Sequence, residues 1–192
     1  MRIKTKWHNK KREVTMEERA NTMAFISWRI AAALVLNLEN ENFQTETQAQ
    51  RLDIIREALA FLISITDRLV VNDFNDDQRR ELITKMALKL AKDFHDNCVE
   101  LMGAGNYRAE FIDIINQRLN AYAERSWDDD KQLPGFQYKR DFGDNVAQVM
   151  GARDNKWISQ QVFEIEVPDM LETLDKAKRQ MLDNRSDAAV GN

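Results

Sequence analysis

The run AFISWRIAAALVLNL, residues 24–38, constrains this chain more than any other part of it. Ahead of it Thr15 and Glu18 stand three apart, the capping-box spacing in which each side chain can satisfy a free backbone N–H at the other's position. At 100° per residue, the helix that follows to about Leu38 is apolar nearly all round. Phe25, Ala32 and Leu36 share one line; Trp28 with Val35, Ala31 with Leu38, and Ile30 with Leu34 take others. Such a helix is expected to be buried among other elements, and the asparagine-rich ENEN after it supplies the stop.

Three more long helical periods follow. The second, Thr47 to Val71, carries Leu52, Ile55, Leu59, Leu62 and Leu69 beside Ile54, Ala58, Phe61 and Ile65, an apolar arc of roughly 200°. It predicts a helix that is central or holds a second subunit. A third begins at Asn75 or Asp76, residues suited to an N-cap, and runs to the GAGN turn at Gly103. The fourth spans Tyr107 to Ser126, with Phe111, Ile115, Leu119 and Tyr122 in register. Six glycines and two prolines in 192 residues are too few for a turn-rich β fold. The fold class expected is all-α: an up-and-down bundle of four long helices with shorter C-terminal helices.

Beyond Ser126 the pattern loosens. WDDDKQLPGFQYKRDFGD reads as a long aromatic loop, with a short helix after Asp144. VFEIEV, residues 162–167, alternates like a strand, and Pro168 suits the first position of a last amphipathic helix through Met170, Leu171, Leu174, Ala177 and Met181. The organisation expected is a basic arm at 1–12, one helical domain at 13–184 and a disordered tail at 185–192.

One cysteine, Cys98, rules out an intramolecular disulfide and a cysteine-rich zinc ribbon. In the first apolar run the unbroken core IAAALVL is too short to span a bilayer and Arg29 divides the stretch, which points to a soluble cytoplasmic protein without a membrane partner.

Few residues suggest catalysis, and no pattern calls for a cofactor. Asp73, Asn75 and Asp77 alternate like calcium ligands, but Gln78 and Thr84 stand where glycine and a bidentate glutamate belong, so helix capping explains them better. Asp128, Asp129 and Asp130 fail the same comparison. His95 and Cys98 share a helix face without further ligands for zinc. The segment Glu110-Phe-Ile-Asp113 before an isoleucine pair looks locally like a metal-binding element of the all-α nucleotide pyrophosphatases. That likeness implies magnesium held by Asp96, Glu100, Glu110 and Asp113 across an antiparallel hairpin. On the helical wheel, however, these acids fall away from the apolar faces, so the enzyme is the lesser alternative.

Arg29 lies mid-helix among apolar residues, where burial would demand an anion or a salt bridge, Asp53 and Glu57 being at its level in a helical hairpin, unless its stem snorkels to the surface and leaves nothing buried. Trp127, Phe136, Tyr138, Lys139, Arg140 and Phe142 together form a candidate partner-binding surface. The chain opens MRIKTKWHNKKR, six cations in twelve residues, on a protein of net charge -4. That arm could pair as a ribbon with residues 162–167, setting Lys4 and Lys6 beside Glu164 and Glu166. Alternatively Lys4, Lys6, Trp7, Lys10, Lys11 and Arg12 bind nucleic acid non-specifically. The expectation drawn from the whole is a non-catalytic helical interaction or regulatory protein, a homodimer acting through its helical surface and the 127–142 aromatics on a protein partner.

Overall fold

The computed structural model describes residues 14–150 and 155–189. Four long helices open the fold: α1 (Met16–Asn40), α2 (Gln48–Leu69), α3 (Asp76–Met102) and α4 (Tyr107–Ala123). The expected capping box of α1 is complete, with Thr15 and Glu18 exchanging hydrogen bonds. Thr47 caps α2, and Asn75 with Gln78 forms a second capping box on α3. The Asp73–Asp77 segment is thus a turn and a helix start, with Asp73 ion-paired to Lys178 at 2.8 Å. Gly103, at φ +87°, stops α3 in a conformation that side chains rarely adopt.

The all-α bundle is as the periodicity predicts, and two local expectations are corrected. Residues 127–142 are not a long loop. Trp127–Asp128 pairs antiparallel with Leu133–Pro134 as a two-residue ribbon, and a helix, α5 (Phe136–Val149), follows at once. Nor is 162–167 a strand. α6 (Asn155–Gln161) passes through a π-helical turn (Val162–Glu166) directly into α7 (Val167–Ala189). The alternation of VFEIEV misleads because Val162, Glu166 and Val167 also fit the helical stripe that continues through Met170, Leu171 and Leu174, all buried. Pro168 explains the π turn: its ring would clash with the carbonyl four residues earlier in a regular helix, and the wider turn, with Val167 N–H donating to the Val162 carbonyl, makes room. The small ribbon of this fold is therefore 127–128 with 133–134. The arm expected to pair with 162–167 lies outside the described residues. α7 extends to Ala189, with no glycine or proline in residues 185–189 to stop it.

α2 is the axis of the molecule, packed by α1, α3, α4, α5 and α7. At its centre Phe61 stacks on Phe142, ring centroids 4.3 Å apart, and meets Tyr122 and Tyr138 edge-on at 6.0 and 5.7 Å. The tyrosine hydroxyls are satisfied: Tyr138 shares a hydrogen bond with Ser64, and Asn145 donates to Tyr122 at 3.1 Å. Glu57, buried beside them, accepts both ends of the Arg118 guanidinium at 2.7 and 3.1 Å. The wide arc of α2 is thus covered within one chain, the first of its two expected explanations.

α1 and α7 close one side of the bundle and run antiparallel, because Asn37 contacts Glu166 at one end while buried Arg19 donates to the Met181 carbonyl at the other, 2.6 Å away. α1 has the length and mean hydropathy, 1.3 over an 18-residue window, of a membrane-crossing helix, with 44% of that window buried against its neighbours.

Candidate functional site

The expected aromatic surface is dispersed by the fold. Tyr138 and Phe142 are in the core, Trp127 is half-buried beside the ribbon, and Arg140 is ion-paired with Asp144 at 3.7 Å. Lys139 is half-buried. Phe136 alone among these aromatics stays exposed, its ring edge-on to Phe163 at 5.5 Å. A helix beginning at Phe136 places positions 138, 142 and 146 on one face, and that face packs on α2.

The acids of the enzyme alternative do not converge. Asp96, Glu100, Glu110 and Asp113 are all exposed, and Asp96 is held by Lys92, which keeps its carboxyl below the usual aspartate range. Among the described residues no group of three His, Cys, Asp or Glu side chains is placed to hold a metal ion. Cys98 is buried under α4, and desolvation pushes its thiol up to about 11, away from the thiolate a nucleophile needs. The ring of His95 lies 6.3 Å from that of Tyr107.

Arg29 takes the snorkelling course among its expected alternatives. It is exposed, not buried, and its guanidinium leans over Phe25 at 6.0 Å. The acids assigned to it are engaged elsewhere, Asp53 with Arg56 and Glu57 with Arg118. The core face of α1 runs through Met23, Ile30, Leu34 and Leu38, and Arg29 projects about a quarter turn or more outside it.

What Arg29 does border is a groove of roughly 420 Å³ between α1 and α7. Ile26, Ile30, Ala33 and Leu34 form one wall, and Met170, Thr173 and Ala177 the other. Glu166 lies in it, 4% exposed, its two carboxyl oxygens accepting from Asn37 Nδ2 at 2.9 Å and Gln161 Nε2 at 3.1 Å. Among the described residues neither Glu166 nor Arg29 takes part in an ion pair. Two larger hollows differ. One of about 660 Å³ holds Arg79, bridged to Asp67, and one of about 630 Å³ holds Lys131 and Arg179, bridged to Asp128 and Asp175; the charges in them without an ion pair among the described residues include Arg68 and Lys139, neither of them buried as Glu166 is.

Glu166 escaped the sequence reading because it was placed on a strand. The signal was there: 166, 169, 170, 173, 176, 177 and 180 fall at helical spacing on one face.

The second feature is the outer stripe of α1. Phe25 and Leu36 are 62% and 60% exposed, three turns apart on the same line, with half-buried Ala32 between them. Between Arg19 and Glu39 the helix has one charged residue, Arg29. α3 offers the contrast: its exposed face also shows Leu88 and Val99, but Glu81–Lys85, Lys89–Asp93 and Lys92–Asp96 pairs lace it. One is a solvated face; the other lacks what keeps a helix in water.

No family model matches this chain, and comparison with curated proteins and with solved structures yields no match either.

Proposed function

We propose that this protein is a non-catalytic helical interaction module that self-associates through the outer stripe of α1. The observation that carries this reading is the pair Phe25 and Leu36, each more than half exposed on a helix with one charge in its central nineteen residues. Large apolar side chains arranged so, with no covering element among the described residues, favour a protein contact over solvent. The stripe is also self-complementary. In an antiparallel pair of α1 helices about a two-fold axis, Phe25 of one copy meets Leu36 of the other, and Ala32 leaves room for the stem of Arg29. A two-fold contact of this type needs no second kind of surface.

Sedimentation velocity over a micromolar concentration range tests the reading. The full chain should move from monomer to dimer as concentration rises, and the Phe25→Asp/Leu36→Asp variant should stay monomeric with unchanged helicity. Phe136→Ser should dimerise like the parent chain. A parent chain that remains monomeric throughout, or a charged variant that still dimerises, overturns the reading; binding of the monomer to lipid vesicles would instead assign the stripe to a membrane surface.

A further inference from the structure

The charges of the α1–α7 groove are sorted by end. At one end lie Glu166 and, one turn along, Asp169; toward the other lie Arg29 from α1 and Lys176 from α7. Asn37 marks the acidic end by its bond to Glu166, and Arg29 is eight residues back along α1, about 12 Å at helical rise. Between the ends the walls are apolar, Ile30, Ala33 and Leu34 facing Met170 and Ala177.

Glu166 is the part of this groove that is hardest to explain as packing. A glutamate 4% exposed should have a cation, yet its partners are two neutral amides, which occupy two of the four acceptor positions of the carboxylate. The remaining positions are filled by no described residue. Arg29, at the opposite end, leans on the ring of Phe25 and is in no ion pair among the described residues. Lys176 pairs with Glu172, which is exposed and lies outside the groove. Two opposite charges, neither in an ion pair among the described residues and too far apart to meet, flank a channel whose walls are apolar but for Thr173.

We infer that the groove is a binding site for a linear zwitterion, its ammonium on Glu166 and Asp169 and its carboxylate at Arg29 and Lys176. Asp169 and Lys176 are seven residues apart on α7, about 10.5 Å at helical rise, a spacing that fits an ammonium and a carboxylate about 10 Å apart, the length of an extended tripeptide or of a medium-chain ω-amino acid. A volume of roughly 420 Å³ is within the range of small-molecule sites. The buried carboxylate supplies discrimination as well as attraction, because a ligand without a donor would leave it uncompensated. Most of the groove wall is about a quarter turn round α1 from Phe25 and Leu36, but Arg29 borders both surfaces, so binding is read at concentrations below those at which the chain pairs, where loss of one does not imply loss of the other.

Isothermal titration of the full chain decides the matter, with trialanine and ω-aminooctanoate as zwitterions and octylamine and octanoate as single-ended probes. At least one zwitterion should bind tenfold or more tightly than either single-ended probe, and which of the two does so separates a peptide from a free amino acid as the source. Arg29→Met, at an exposed position, should bring that zwitterion down to the affinity of octylamine without moving the melting temperature. Glu166→Gln should bring it down to that of octanoate. Zwitterions that bind no better than the single-ended probes, or that are indifferent to Arg29→Met, overturn the inference even if Glu166→Gln fails to fold.

Discussion

α1 and α2 offer nearly the same thing to a folding chain, an apolar surface far wider than one stripe, and the molecule treats them differently. α2 is surrounded by five helices, and its exposed positions are few. α1 is covered by α2 and α3 on one side and α7 on another, which leaves a third open along Phe25, Ala32 and Leu36. A wide apolar arc is therefore two signals with one appearance. It marks either the helix around which a bundle is built or a helix whose remaining partner is another molecule. Glu57 and Arg118 sharpen the contrast, since α2 carries its buried charge with an ion pair while α1 turns its central arginine outward.

The comparison breaks if the two helices respond alike to loss of a phenylalanine. Phe61→Ala, at the centre of four packed rings, should cost about 3–5 kcal/mol of folding free energy, read from urea denaturation. Next in size, Arg118→Met leaves Glu57 buried without its cation and should cost about 3 kcal/mol; adding Glu57→Met should restore much of it, since the isolated charge is what is expensive.

An alkaline titration separates the regions by chemistry. Burial raises the Tyr138 phenol from 10.0 to about 12 and the Cys98 thiol from 9.0 to about 11. In both cases the folded state holds its proton more tightly. Stability is then full below pH 9 and falls as the pH rises through 9 to 11 for Cys98 and 10 to 12 for Tyr138. Tyr138 alone contributes about 2–3 kcal/mol to that loss. Denaturation midpoints at pH 8 and pH 11 check it, and Tyr138→Phe should flatten the slope. The smallest effect belongs to α1: Phe25→Ser should change the stability of the monomer by less than about 0.5 kcal/mol, because its ring is more than half in water already.

Capping and periodicity made the first four helices legible almost to their ends. Thr15 with Glu18, Thr47 and Asn75 are local signals, satisfied by backbone N–H groups two or three residues away, and they act the same in any fold. From Trp127 onward the local signals were ambiguous. Tyr138 and Phe142 fit a loop of aromatics or one face of a helix equally well, and VFEIEV fits period two or the stripe of a helix. Such short runs are decided by what lies next to them. α2 presented Phe61 to Tyr138 and Phe142, and α1 presented Asn37 to Glu166.

The amino-acid sequence by itself determined the class of this protein, the starts of its long helices and which residues must leave water, because hydrophobicity and capping are properties of a residue and its near neighbours. Only the tertiary structure decided that Arg29 stays in solvent, that Glu57 finds its cation in Arg118, and that Glu166 sits in a groove with two neutral amides as its partners among the described residues. Each of those depends on which side chain arrives from a distant helix, and a charge's fate is set by the partner opposite it.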